Sequence, residues 1–182
     1  AVAAMGIAQK INMVPLYFSL GLSQGLMPLI SYNYASGNID RMKKSFLFAV
    51  KISLTFMFAV TAGYYFGSGF LTKLFMKNPE IVSYGSLFLK GLCLALPFLC
   101  MDFLAVGVFQ ACGLGKKAFL FAILRKIILE IPALFIWNFI WPLYGLAYAQ
   151  ATAEIVLSVA AVIVLYRLFT GLENKKRQSA NT

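Results

Sequence analysis

Asp102, Glu130 and Glu154 are carboxylic acids set inside long apolar runs, and the same runs hold the cations Lys10, Lys51, Lys90, Arg125 and Lys126. An ionisable group among such neighbours is costly unless it pairs, faces a water-filled cavity or binds something, so each is a candidate for function. Lys10, Lys51 and Lys90 lie toward the outer parts of their runs, where a flexible stem can carry the ammonium back to water. The acids have no such reach. At about 1.5 Å per helical residue, Asp102 lies about 16 Å before Gly113, Glu130 about 20 Å after Lys117 and Glu154 about 14 Å after Gly145. Acids at that depth can exchange a proton, hold a cation or neutralise a buried base. Lys126 and Glu130, spaced i and i+4, can neutralise each other on one helix face. Asp102 and Glu154 have no partner nearby in sequence and reach Arg125 or Lys90 only across helices.

Other chemistry is poorly represented. The chain has no histidine. It carries no Gly-rich phosphate loop, no GxSxG, no HExxH and no acidic pair spaced for magnesium, so the reading is of a protein that is not an enzyme and takes no cofactor. Cys93, Cys100 and Cys112 form no CxxC pair and read as small buried apolar residues.

The elements that must position the acids follow from composition. Of 182 residues, 61% are hydrophobic and only 12% charged, with a mean hydropathy of +0.82, which marks an integral membrane protein. The net charge of +10 lies between apolar blocks rather than on one polar face beside stacking aromatics, which argues against a nucleic-acid partner. Blocks at 5–31, 45–70, 83–112, 117–140 and 145–169 each exceed the roughly 20 residues that cross a bilayer. The expected fold is therefore all-α: a polytopic membrane bundle of five transmembrane helices, consecutive ones antiparallel because their connections are short. Gly21, Gly25 and Ser31 give the first block a small-residue face for helix packing. Pro15, Pro28, Pro97 and Pro132 each remove a backbone hydrogen bond inside a block and bend it. Asn78-Pro79-Glu80 reads as a cap followed by a first-turn proline and acid.

Arg41, Lys43, Lys44, Lys116, Lys117, Arg167, Lys175, Lys176 and Arg177 fall on one side of this arrangement, with Lys73 and Lys77 on the other, which makes the first side and the C-terminus cytoplasmic. An odd number of spans and a start inside an apolar helix lead us to expect a fragment that lacks a preceding helix. Residues 171–182 read as a disordered cytoplasmic tail, and 1–170 as the membrane lobe.

With these features placed, the chain resembles the multidrug and toxic-compound extrusion (MATE) transporters, in particular the C-terminal lobe of a bacterial member. Four segments carry the resemblance: Gly21-Leu-Ser-Gln-Gly25 with Pro28 and Tyr32-Asn-Tyr-Ala-Ser-Gly-Asn38; Leu96-Pro-Phe98 with Phe109-Gln-Ala-Cys-Gly113, Lys116 and Lys117; Leu124-Arg125 through Ile131-Pro132; and Gly145 through Glu154. The resemblance implies helices eight to twelve of a twelve-helix, two-lobe transporter in the bacterial plasma membrane, with the N-terminal lobe of the same chain as its partner. It further implies an antiporter that exports amphipathic or cationic small molecules in exchange for H+ or Na+. In that reading Asp102, Glu130 and Glu154 are the ion-coupling or substrate candidates, and Gln24, Asn33, Gln110 and Arg125 give polar support. A flippase for lipid-linked oligosaccharides in the same superfamily would instead use Lys90, Arg125 and Lys126 as a cationic cavity. A membrane subunit with a purely structural role is the third reading.

Overall fold

The computed structural model describes residues 2–75, 78–142 and 145–180, so Lys77 lies outside the described residues, as do Leu143 and Tyr144 of the fourth connection. Among the described residues the chain is helical with short connections: α1 (Val2–Ala35), α2 (Ile39–Phe75), α3 (Pro79–Cys93), α4 (Leu96–Ala111), α5 (Gly115–Ile123), a π-helical segment (Leu124–Glu130), α6 (Ile131–Ile140) and α7 (Gly145–Ala180). The five apolar blocks become five helical passages. Three of them, α1, α2 and α7, are each long and apolar enough to cross a membrane, and α3 and α4 reach that length and apolarity together, as a pair bent by 44°. The fourth passage is α5, the π segment and α6 in direct succession.

Glycine ends two of these helices in the same way. After α1, Gly37 takes φ +70°, its N–H bonds the Tyr34 carbonyl, and the Asn38 N–H reaches Asn33. After α4, Gly113 at φ +71° repeats the pattern with Gln110 and, through Leu114, Phe109. This is the Schellman arrangement, which needs a left-handed residue that glycine adopts without strain. At the start of α3, Asn78 caps the helix by accepting from the Glu80 N–H at 3.0 Å, with Pro79 in the first turn.

The prolines leave carbonyls that hydrocarbon cannot satisfy, and α2 supplies two of the missing donors. Pro15 cannot donate to Ile11; the Tyr64 hydroxyl does so at 3.3 Å. Pro97 cannot donate to Cys93; the Thr61 hydroxyl does so at 3.2 Å. The break between α3 and α4 falls at this second site, where the chain turns at Leu94 and Ala95. Side chains on a neighbouring helix thus restore backbone bonds that the bent helices lose.

The core centres on α4, which is enclosed by α1, α2, α5 and α7. Leu96, Leu99, Cys100, Leu104, Ala105, Val108 and Phe109 are all buried, so most of the surface of α4 meets protein. Its contact with α1 is close: Ser23 donates to the Phe103 carbonyl at 2.6 Å, Ser31 to the Ala111 carbonyl at 3.1 Å, and a Cβ on Gly107 would strike Ser23. Large side chains such as Phe66 and Phe139 point outward and are almost fully exposed, as lipid-facing residues are.

Two expectations are corrected here. Among the described residues Gly21 and Gly25 pack against no neighbour: a Cβ on either would meet nothing within 4 Å, and the α1 face that packs within this chain includes Ser19, Ser23, Leu26 and Ile30. Nor is 171–180 disordered, because α7 continues unbroken to Ala180. Leu172 extends the apolar core of the bundle, and two ion pairs tie the extension to the start of α2: Lys43 to Glu173 at 2.8 Å and Lys176 to Asp40 at 2.5 Å.

Candidate functional site

Among the residues buried along α7, Ala147, Ala151, Glu154, Ser158, Ala161 and Leu165 recur at a 4-3-4-3-4 spacing, with Ala149, Ala153 and Leu157 buried beside them. That seam faces protein, and its alanines let neighbouring helices approach closely; a Cβ on Gly91 of α3 would lie 2.7 Å from the Ala147 Cβ. Glu154 occupies a seam position and is 2% exposed. It is directed into the bundle by the periodicity that packs the helix.

Asp102 projects from α4, the central helix of the core, and is 1% exposed. The two carboxyls meet across the α4–α7 contact and act on one another, with the Arg125 guanidinium in electrostatic reach of both. They are close enough to share a hydrogen bond once one of them holds a proton, since two ionised carboxylates can only accept. Both Asp102 oxygens and Glu154 Oε2 are buried with no hydrogen-bond partner among the described residues. Unsatisfied buried acceptors are uncommon in folded proteins, and a pair of acids holding several between them is a place where a proton or a cation would be stabilised.

Arg125 reaches this site from the π segment, its guanidinium 4.8 Å from the centre of the Phe103 ring on α4. The segment ends just before Pro132, which cannot donate to Ile128 four residues back, and the wider π turn absorbs that mismatch. The same segment holds Lys126 and Glu130, ion-paired at 2.8 Å as i and i+4, and both act electrostatically on Glu154. The three acids therefore belong to one cluster: an inner pair, Asp102 and Glu154, and an outer acid, Glu130, already matched with Lys126.

The other sequence candidates are scattered. Gln24 lies at the depth of the cluster, since its neighbour Ser23 bonds to Phe103, but it is on an exposed side of α1. Gln110 is exposed near the end of α4. Asn33 is buried at the end of α1, where its Nδ2 donates to the Leu29 carbonyl at 2.7 Å and its Oδ1 has no partner among the described residues. Lys90 sits over the Tyr65 ring at 5.5 Å. Lys90 thus has an aromatic neighbour, whereas Arg125 and Lys126 both act on Glu154. Phe103, the platform for Arg125, is a site residue that sequence reasoning misses; its place directly after Asp102 is the one signal that could flag it.

Residues 1–136 match the MatE family. This chain belongs to the MatE family. It is 33% identical to the multidrug export protein MepA of Staphylococcus haemolyticus (strain JCSC1435) over 169 residues, which covers 92% of this chain and 37% of that protein. The chain thus spans a little over a third of the length of that relative. Among solved structures, it is similar to a multidrug resistance MATE family transporter of the MOP superfamily in its outward-facing conformation, with a TM-score of 0.89 at 19% identity over 95% of this chain and 39% of that one. It is also similar to the inward-facing conformation of such a transporter, with a TM-score of 0.86 at 19% identity over 92% and 39%. At those identities the structural likeness speaks for the fold. This MatE-family chain is thereby a membrane-spanning helical bundle built like part of a MATE transporter.

Proposed function

We propose that this MatE-family chain is the C-terminal lobe of a secondary antiporter that exports amphipathic or cationic small molecules in exchange for H+ or Na+ by alternating access, with its basic end and C-terminus in the cytoplasm. The observation that carries the reading is the Asp102–Glu154 pair: two buried acids with unpartnered oxygens, enclosed by rigid helices and balanced by one guanidinium. Two ionised carboxylates in a dry site repel, whereas one proton or one cation between them removes the repulsion. A site whose charge depends on its occupant can bias two conformations, since an ion that binds them unequally shifts the balance. Arg125, held on Phe103, is placed to offset the charge left when the occupant departs. Glu130, matched with Lys126 on the half-exposed side, tunes Glu154 from outside.

Alternating access is supported by the likeness of the lobe to both outward- and inward-facing structures: a fold that suits both states suits a lobe that moves as a body. The relatives' printed role in multidrug export supports the substrate class. The test is dye efflux from vesicles containing the protein expressed from its native gene, under imposed proton or sodium gradients. Wild type should respond to a gradient, while Asp102→Asn and Glu154→Gln should lose that response; transport by both variants at wild-type rates with the gradient response intact sinks the coupling role.

A further inference from the structure

Asp102 and Glu154 bring two acids into the core, both almost wholly buried, and the charges around them limit what the pair can hold. The other charged groups that act on the pair come from the π segment: Arg125 acts on both acids, and Lys126 and Glu130 act on Glu154. Lys126 and Glu130 are ion-paired at 2.8 Å, so together they add no net charge. Among the described residues Arg125 is thus the cation that offsets the acids, and it does so without occupying them. Its guanidinium lies over the Phe103 ring at 4.8 Å, while both Asp102 oxygens and Glu154 Oε2 keep no hydrogen-bond partner among the described residues. The division between the two bases has a sequence cause. Arg125 and Lys126 are consecutive, so they leave the helix in different directions; one meets the ring that follows Asp102 on α4, and the other meets Glu130 one turn on. Arginine suits the inner place, because its planar, weakly hydrated head rests on an aromatic face and stays charged at any physiological pH.

We propose that Arg125 sets the valence of the coupling site, which takes a single monovalent positive charge, one proton or one sodium ion, and rejects divalent cations. Two ionised carboxylates and one guanidinium leave one net negative charge. A site closed off from water favours the occupant that brings it to neutrality, since uncompensated buried charge is costly. One proton or one sodium ion does so. A second proton, or a divalent cation, would leave a net positive charge beside a guanidinium that cannot give up its own proton. This inference rests on the coupling role of the acid pair and adds to it the charge that the pair accepts, with Arg125 as the residue that determines it.

The test counts the ions that a saturating monocationic substrate releases from the purified protein expressed from its native gene, with a pH dye in weak buffer and radioactive sodium as separate arms. Binding of Mn2+, a divalent probe suited to carboxylates, is followed by electron paramagnetic resonance. Wild type should release one ion per protein. Asp102→Asn, which brings the empty site to neutrality, should release none, and Asp102→Asn with Arg125→Gln should release one again, a rescue that damage to folding cannot imitate. Arg125→Gln alone should bind Mn2+ at least about tenfold more tightly than wild type, and adding Glu154→Gln should remove that gain. Arg125→Lys, which keeps the charge, should bind Mn2+ no better than wild type, and Lys126→Gln with Glu130→Gln, which removes a neutral pair, should still release one ion. No ion from wild type in either arm would sink the coupling role and this inference with it. One ion from wild type, with Asp102→Asn/Arg125→Gln silent or Mn2+ bound no better by Arg125→Gln, would leave the coupling role standing and overturn the valence assignment.

Discussion

The Tyr64 hydroxyl on α2 donates at 3.3 Å to the Ile11 carbonyl on α1, the acceptor that Pro15 leaves without its helical donor. Thr61, three residues earlier, does the same for Cys93 opposite Pro97. One helix thus repairs two broken ones, and both repairs can be measured. Tyr64→Phe and Thr61→Val should each cost about 1–2 kcal/mol of unfolding free energy in detergent, because each strands a carbonyl away from water. In a Pro15→Ala background, where the substituted residue regains an N–H that can donate to Ile11, Tyr64→Phe should cost clearly less. Equal costs in both backgrounds would mean that the hydroxyl does not serve the proline break.

Glycines divide by what surrounds them. Gly91 has Ala147 against it, so Gly91→Leu should destabilise by about 1–3 kcal/mol through overpacking between α3 and α7. Gly21 and Gly25 face open space, and Gly21→Ala should be neutral or stabilising by up to about 1 kcal/mol, the helix-propensity gain. Thermal unfolding in detergent reads both; a damaging Gly21→Ala would show that something packs there.

The extension of α7 is held to α2 by exposed ion pairs. Glu173→Gln with Lys176→Gln should raise amide hydrogen exchange over residues 172–180 severalfold while leaving the midpoint of global unfolding unchanged, and high salt should imitate the variant. Unchanged exchange would locate the hold elsewhere, in the packing of Leu172.

Cys93, Cys100 and Cys112 are all buried and free. A maleimide should label them slowly in the folded protein and completely once the protein is denatured, which mass spectrometry counts directly. Rapid labelling of any one would show an opening into the core.

How much of this is legible in the sequence varies with range. The five passages, the Asn78 cap, the bend at Pro97 and the Lys126–Glu130 pair depend on neighbours within a few residues, and each can be read from spacing. The glycine face of α1 misleads because small residues fit both a close contact and an open groove, and only the other helices decide between them. The end of α7 misleads because its composition is that of a solvated tail, while its order comes from Asp40 and Lys43, more than a hundred residues earlier. The acids stand out as misplaced in lipid, but the sequence points to basic partners for them. That Asp102 and Glu154 meet each other depends on α4 and α7 packing side by side, which no local pattern in α4 encodes; on α7, the 4-3 spacing of Ala151, Glu154, Ser158 and Ala161 is a readable sign that Glu154 faces inward.

The central claim is that the Asp102–Glu154 pair holds the coupling ion, and its most direct test is substrate-triggered ion release from the purified protein expressed from its native gene, followed with a pH dye in weak buffer and with radioactive sodium. The account predicts that a cationic substrate expels a proton or a sodium ion from wild type, that Asp102→Asn and Glu154→Gln each abolish the release, and that Glu130→Gln only weakens it. Release undiminished in both Asp102→Asn and Glu154→Gln would contradict the claim.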